Sequence, residues 1–153
     1  MKQIVIRAVI YTVIVGIVTA VIFMVGVSAS ACTEFEYTED EVDILAGLIS
    51  AEARGESYEG KLAVGTVVMN RVDSGIWGSS IQSVVYAKNQ FAKPLDRYDD
   101  ECLNAAIEVL NGHRSFPENV LYFQVKRVDK WRNAIWHCKI GAHNFYGMCR
   151  KTT

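Results

Sequence analysis

The hydrophobic pattern separates an apolar N-terminal segment from the rest of the chain. Residues 8–27 are uncharged and predominantly apolar. As a helix rising about 1.5 Å per residue they would span roughly 30 Å, the thickness of the hydrocarbon core of a bilayer. Lys2 and Arg7 precede this run, so the residues after it are expected on the outer side of the membrane. The pattern therefore predicts a membrane contact through residues 8–27 and export of the remainder.

Two interpretations of this segment stay open. Ala29 and Ala31 form an A-x-A-like site of the kind that signal peptidases cut. The length of the apolar run instead favours an anchor that is retained. In both cases the chain divides into an anchor or signal segment at 1–31, a linker at 32–38 and an exported domain at 39–150. The domain would lie outside the membrane, either held at its surface or secreted after cleavage near Ala31.

Helical periodicity is clearest in the first half of the exported domain. Thr38 followed by Glu41 predicts a capping box, in which each residue hydrogen-bonds the backbone N–H of the other. Apolar residues at helical spacing extend this first helix as far as Gly55. A second helix is predicted over 57–72, and it is apolar nearly all round, which is typical of a helix buried in a core.

The second half of the domain is less regular. A short helix is predicted over 80–86, and a clearer one begins at the N-cap Asp99 and ends at 111–112. The apolar stripe of that clearer helix is predicted to be Leu103, Ala106, Ile107 and Leu110. Residues 120–125 predict a strand, whereas the aromatic-rich tail 131–148 has no clear assignment. Together these elements predict an α+β, mainly helical domain.

Charge limits the class of partner. The chain has a net charge of -1 and an isoelectric point near 6.3. Nucleic-acid binding depends on a concentrated field of lysine and arginine side chains, which this balance does not provide. Nucleic acid is therefore excluded as a partner, and no sequence feature identifies a protein partner.

The four cysteines could form disulfides, act as nucleophiles or bind a metal. They are Cys32, Cys102, Cys138 and Cys149. Export permits disulfides, and Cys138 with Cys149 is a candidate pair, although the sequence does not give the connectivity. Cys102 lies in a helical pattern and fits a small core residue. Two other interpretations are weaker. A cysteine–histidine peptidase or amidase using His143 lacks a recognisable activating context for the thiol. A zinc site that includes His137 would need non-standard ligand spacing.

The candidate catalytic acid is Glu52. It follows Ile49 by three residues and so lies along the apolar stripe of the first helix. A carboxyl group there would be partly desolvated, which raises its pKa and suits general-acid cleavage of a glycosidic bond. Glu56, one turn later, would add a second negative charge. The alternative is that Glu52 turns to solvent or pairs with Arg54 or Arg71.

A resemblance decides between these interpretations. The segment Glu52-Ala53-Arg54-Gly55-Glu56 and its surroundings resemble the signature of the SleB/CwlJ-type cell wall hydrolases, the spore-cortex-lytic enzymes and their relatives. The likeness continues in the same order through most of the domain. Its segments are 48–64, 68–72, 83–86, 90–91, 105–112, 121–123 and 140–146.

The resemblance implies a lysozyme-like, lytic-transglycosylase-like domain acting on peptidoglycan glycan strands. It implies that Glu52 protonates the oxygen between N-acetylmuramic acid and N-acetylglucosamine and then acts as a base, with Glu56 as a possible modulator. It implies no cofactor and no metal. The expected substrate-binding residues are Gln90, Phe91, Tyr122, His143 and Tyr146.

Two alternatives to this function remain open. If Glu56 or Asp96 served as a second carboxylate, the enzyme would be a hydrolytic lysozyme or glucosaminidase. A domain that kept the fold without activity would be a wall-binding or spore-structural protein. The sequence also leaves open whether the role is in vegetative growth, sporulation, germination or phage lysis.

Overall fold

The computed structural model describes residues 37–131 and 133–149, apart from the side chains of residues 130 and 131. Within these residues four helices precede a four-stranded sheet, which confirms the α+β, mainly helical prediction. The helices are α1 (Glu39–Ala53), α2 (Tyr58–Ser74), α3 (Ile81–Val85) and α4 (Asp100–Leu110). The strands are β1 (Val120–Gln124), β2 (Lys130–Trp131), β3 (Ala134–Ile140) and β4 (His143–Met148).

The predicted anchor or signal segment, residues 1–31, lies outside the described residues, as does most of the predicted linker. Among the helices of the described residues, none is long and apolar enough to cross a membrane.

The first two helices begin where their caps predict. The Thr38 side chain accepts from the N–H of Glu41 at 3.3 Å, and the Glu41 carboxylate accepts from the N–H of Thr38 at 3.0 Å, so the capping box is confirmed. Ser57 caps α2, and every residue from Gly60 to Arg71 is buried. As predicted, α2 is therefore the central helix of the domain.

The apolar stripe of α4 differs from the predicted one. Ile107 is 41% exposed, and Leu103 is only half-buried. The buried residues of α4 are Cys102, Ala105, Ala106, Val109 and Leu110. The stripe is centred about one residue earlier, because α4 packs through its small residues and Val109 against Gly65 of α2. A Cβ at Gly65 would lie 3.1 Å from Val109 Cγ2.

The sheet is antiparallel, with strand order β1-β4-β3-β2. Its strands β2, β3 and β4 come from the tail that the sequence left unassigned. Phe145 of β4 packs towards α2 with Val120, whereas Tyr146 packs on the opposite face with Tyr122 and Leu121. Strand β4 is buried on both faces because it lies between two other strands and between two apolar layers.

The candidate pair Cys138 and Cys149 does not form a disulfide, because both thiols are free. Cys138 lies opposite Phe145 in the β3–β4 pair. The N–H of Cys149 instead bonds the carbonyl of Asn133, at the far end of the same pair. Four residues of strand separate the two positions, roughly 13 Å, whereas a disulfide requires Cα atoms within about 7 Å.

Candidate active site

A cleft of about 220 Å³ lies between the end of α1, the loop from residue 86 to 99 and the edge strand β1. We call this loop the cleft loop. Five of the predicted site residues line the cleft together: Glu52, Gln90, Phe91, Tyr122 and His143. The other lining residues are Arg71, Asn89, Phe123, Gln124 and Val125.

Glu52 is half-buried and is held in one orientation. Its Oε1 atom accepts a hydrogen bond of 2.6 Å from the backbone N–H of Ala92 in the cleft loop. Its Oε2 atom accepts no hydrogen bond from the described residues. Arg54 does not pair with Glu52, since its guanidinium donates to the Ser50 hydroxyl and to the carbonyl of Arg97. One carboxyl oxygen is thus fixed by the cleft loop, and the other accepts no hydrogen bond from the described residues.

The cleft loop is tied to the helix that carries Glu52. The N–H of Leu95 donates to the carbonyl of Gly47 at 3.1 Å. The Tyr98 hydroxyl donates to the carboxylate of Asp43, a turn before Gly47. A Cβ at Gly47 would lie 2.5 Å from the Leu95 carbonyl oxygen, so the helix and the loop touch through their backbones. The position of Ala92 relative to α1 is therefore set by direct contacts.

Arg71 connects α2, the cleft loop and β1. It is buried, and its Nε donates to the carbonyl of Leu121 at 2.7 Å. Its Nη1 is 3.4 Å from Gln90 Oε1. The guanidinium carbon lies 4.5 Å from the ring centre of Trp77 and 4.3 Å from that of Phe91, which are cation–π distances. Arg71 was an alternative partner for Glu52 in the sequence interpretation, and the structure places it in the wall of the cleft.

Asn89 is a second cleft residue that the sequence did not identify. Its φ of 60° places the backbone in the left-handed region, which asparagine adopts more readily than most residues. This turn brings Gln90 and Phe91 to face the cleft. The sequence signal was an asparagine directly before the Gln-Phe pair, between two helices.

His143 is the first residue of β4 and is 7% exposed. Its ring packs edge-on against Phe123, with 5.1 Å between ring centres. The Nδ1 atom is buried, and no described residue provides it with a hydrogen-bond partner. The sequence treated His143 as a substrate-binding candidate, and the structure places it in the cleft that contains Glu52.

Glu56 does not line the cleft. Its Oε2 accepts from the N–H of Ala142 at 3.1 Å, in the turn between β3 and β4. Gly141, the preceding residue, has a φ of 56°, and a Cβ there would overlap the Glu56 carboxylate. Glu56 therefore holds this turn against the end of α1.

Tyr146 must also be reassigned. It was predicted to bind substrate, but it is fully buried. Its hydroxyl accepts from the N–H of Val128 at 3.0 Å and from Gln124 Nε2 at 3.3 Å. These bonds fold the chain after β1 back onto the sheet. Tyr146 therefore supports the cleft wall from behind, because a side chain with no exposed surface cannot contact a sugar.

Cys102 and Cys138, the two thiols considered as nucleophiles, lack the properties of one. Burial, followed by the nearby Asp99, raises the pKa of Cys102 to about 11, and burial also raises the pKa of Cys138. A thiol is reactive as the thiolate, so neither side chain is available as a nucleophile near neutral pH.

We expect a maleimide at pH 7 to label the exposed Cys149 rapidly and Cys102 only after denaturation, as read by peptide mass mapping. Rapid labelling of native Cys102 would contradict this assignment.

The zinc interpretation also finds no support in the described residues. Among them, no three His, Cys, Asp or Glu side chains come together as metal ligands. His137 packs against the ring of Phe116, with 5.8 Å between ring centres.

A half-buried carboxyl group in a cleft lined by aromatic and amide side chains is typical of enzymes that cleave glycosidic bonds. Comparison with known proteins agrees with this class. The sequence model of the family described as Cell Wall Hydrolase matches residues 55–146, and the chain belongs to that family. The matched range begins just after Glu52 and includes the other four predicted residues that line the cleft.

Several spore cortex-lytic enzymes are similar to the chain. That of Oceanobacillus iheyensis is 27% identical over 92 residues, which cover 57% of this chain and 33% of the relative. That of Bacillus subtilis is 27% identical over 113 residues, covering 61% and 37%. The chain thus spans between a third and a half of the length of these curated relatives.

Two solved structures share the fold. The catalytic domain of the germination-specific lytic transglycosylase SleB from Bacillus anthracis matches with a TM-score of 0.59 and 26% identity, covering 72% of this chain and 96% of that one. The catalytic domain of the Bacillus cereus SleB protein matches with a TM-score of 0.60 and 24% identity, covering 78% and 98%.

Proposed function

We propose that this chain cleaves the glycan strand of peptidoglycan as a lytic transglycosylase, between N-acetylmuramic acid and N-acetylglucosamine. The observation that carries the proposal is the Glu52 carboxyl group, held in the cleft by the N–H of Ala92 with its second oxygen open. The names of the similar spore cortex-lytic enzymes and of the SleB lytic transglycosylase support the same class of substrate.

The reaction needs one carboxyl group used twice. The protonated Glu52 donates its proton to the glycosidic oxygen as the bond to the muramoyl C1 breaks. The muramoyl C6 hydroxyl then attacks C1, and its proton passes to the Glu52 carboxylate. The products are a free hydroxyl on N-acetylglucosamine and a 1,6-anhydro ring on the muramoyl residue. No water is consumed, and Glu52 ends in the protonation state in which it began.

The contents of the cleft favour this route over hydrolysis. Hydrolysing glycosidases use two carboxyl groups, about 5–5.5 Å or about 6.5–9.5 Å apart. Within the described residues that line the cleft, Glu52 is the one that carries a carboxyl group. The Glu56 carboxylate accepts a hydrogen bond from the N–H of Ala142, and Asp96 lines a separate pocket with Asp43 and Tyr98. Neither candidate second carboxylate lines the cleft.

The remaining lining residues suit a sugar chain. Phe91 and Phe123 lie 6.1 Å apart between ring centres, and aromatic faces pack well against the C–H faces of pyranose rings. Gln90 provides an amide for sugar hydroxyls. Tyr122 adds a phenol that is stacked edge-on against Trp77. We propose these cleft residues as the substrate-binding set.

The proposal includes a location outside the membrane, where peptidoglycan lies. Its support is the apolar run 8–27 with Lys2 and Arg7 ahead of it. Either a retained anchor or a secreted domain places the cleft next to the wall.

Product analysis tests the reaction. The purified chain is incubated with peptidoglycan in water enriched in ¹⁸O, and the fragments are identified by mass spectrometry. We expect anhydromuramoyl ends without ¹⁸O. Reducing muramic acid ends with ¹⁸O would instead indicate a lysozyme, and reducing N-acetylglucosamine ends a glucosaminidase. Release of free stem peptides alone would overturn glycan cleavage and point to an amidase.

A further inference from the structure

We propose that His143 recognises the acetamido group of a sugar next to the scissile bond, and that Glu56 is the positioning residue that holds His143 in place. The inference rests on the proposed function, because it assigns a substrate group to one wall of the same cleft. It would make the cleft selective for N-acetylated glycan over glycan that carries free amino groups.

The first step of the argument is the unpartnered nitrogen. Buried side-chain nitrogens nearly always have a hydrogen-bond partner, so each exception needs an explanation, and one such explanation is a functional role. Nδ1 of His143 is such a nitrogen among the described residues. A neutral imidazole carries one N–H, and Nδ1 has no acceptor to receive it. The proton therefore belongs on Nε2, which makes Nε2 a hydrogen-bond donor.

The second step is where that donor points. His143 lines the cleft, and the described residues provide no hydrogen bond for Nε2. Nε2 is not enclosed as Nδ1 is, so it is the ring nitrogen that can meet a bound molecule. The ring is held in place by its edge-on packing against Phe123, at 5.1 Å between ring centres.

The third step is the chemistry of the partner. An acetamido group offers a carbonyl oxygen, which accepts a hydrogen bond, and a methyl group, which prefers an apolar surface. His143 provides the donor, and Phe91 and Phe123 provide the apolar surface beside it. Both sugars of the peptidoglycan strand carry an acetamido group. A free amine at the same position is protonated at neutral pH, so it is a donor facing a donor, and it lacks the methyl group that packs against the rings.

The fourth step concerns Glu56. Its carboxylate accepts from the N–H of Ala142, the residue directly before His143. Gly141 approaches the same carboxylate so closely that a side chain has no room. Glu56 is four residues after Glu52, at the end of α1. The two glutamates of one short segment thus contact the two sides of the cleft. The Glu52 carboxylate binds the cleft loop at Ala92, and the Glu56 carboxylate binds the turn that precedes His143.

The test compares two substrates with the full-length chain. Initial cleavage rates are measured on N-acetylated peptidoglycan and on the same material after chemical N-deacetylation, with a re-acetylated sample as control. We expect the natural chain to prefer the N-acetylated substrate by about tenfold or more. His143→Phe should lose about tenfold on the N-acetylated substrate and little on the deacetylated one. His143→Gln retains a donor and should keep part of the preference.

Glu56 is tested by the same ratio. Glu56→Ala removes the acceptor for Ala142 and should reduce the preference as His143→Phe does. Glu56→Gln keeps an amide oxygen that can accept the same N–H, so this variant should retain the preference for the N-acetylated substrate. A residue that only stabilised the fold would slow both substrates together and leave the ratio unchanged.

The outcomes separate the two claims. If His143→Phe and His143→Gln slow both substrates equally, the acetamido assignment is overturned while glycan cleavage by Glu52 stands. If Glu56→Ala keeps the full preference, the positioning role of Glu56 is overturned. If the natural chain cleaves neither the N-acetylated nor the re-acetylated glycan, the proposed function itself fails.

Discussion

Glu52→Gln is expected to lower the rate of glycan cleavage by about 10²–10⁴-fold, the usual contribution of a general acid. Glutamine keeps an oxygen that can accept the N–H of Ala92, so the side chain and the cleft loop should stay in place. It has no acidic proton to transfer to the leaving oxygen. The measurement is the release of soluble fragments from peptidoglycan over time, with thermal unfolding recorded on the same sample.

The matched control is Glu59→Gln. Glu59 is an exposed glutamate in the first turn of α2, and it does not line the cleft. This variant should cleave at the rate of the natural chain and unfold close to its temperature. Full activity in Glu52→Gln would show that the proton comes from another group and would remove the basis of the proposed mechanism.

Gly47→Ala is expected to damage both the stability and the activity of the domain. The new Cβ would lie 2.5 Å from the Leu95 carbonyl oxygen and 3.3 Å from its nitrogen, and both are backbone atoms. Overlap of this kind costs up to about 3 kcal/mol against a gain in helix propensity of about 1 kcal/mol, so we expect a net loss of about 1–2 kcal/mol. The displaced loop would also move the N–H of Ala92 away from Glu52.

Denaturant unfolding and the cleavage rate measure these two effects. Gly55→Ala is the control, since a Cβ at Gly55 would meet no atom within 4 Å. It should leave unfolding and activity nearly unchanged. If Gly47→Ala unfolds at the same denaturant concentration as the natural chain and cleaves equally fast, the contact between α1 and the cleft loop does not position the acid.

The helices were predictable because their ends are encoded locally. Thr38 with Glu41 begins α1, and the carboxylate of Asp99 accepts the N–H of Cys102 to begin α4. Capping acts over three residues, so sequence alone can locate it. The residues that α4 buries could not be predicted in the same way. Their phase depends on which neighbour the helix packs against, here Gly65, and a repeat of apolar residues does not contain that information.

Strand β1 was predicted, at residues 120–125 against the observed Val120–Gln124, but the other three strands were not, for two physical reasons. Strand β4 is buried on both faces, so its sequence shows no alternation of apolar and polar residues, and it contains the buried His143 and Asn144. Strand β3 is irregular, with a register shift between Trp136 and Cys138. Such a shift breaks the two-residue period on which strand prediction depends.

The site was predicted in part. The resemblance brought together five residues that are up to 91 positions apart, and the structure places all five on one cleft. It also named Glu56 and Tyr146, whose contacts are with the backbone of the β3–β4 turn and of the chain after β1. Sequence similarity selects residues that shape a site along with those that contact its ligand. Only the burial and the hydrogen bonds of each side chain separate the two groups.

The place of β4 in the sheet determines when the cleft can exist. This strand is the last of the described strands in chain order, yet it pairs with both β1 and β3, which do not pair with each other. Until residues 143–148 have been synthesised and inserted, β1 has no partner strand and the His143 wall is missing. Under the proposed function, glycan cleavage therefore requires this strand to be in place. A nascent or C-terminally clipped chain would contain Glu52 on its helix and still leave the glycan intact.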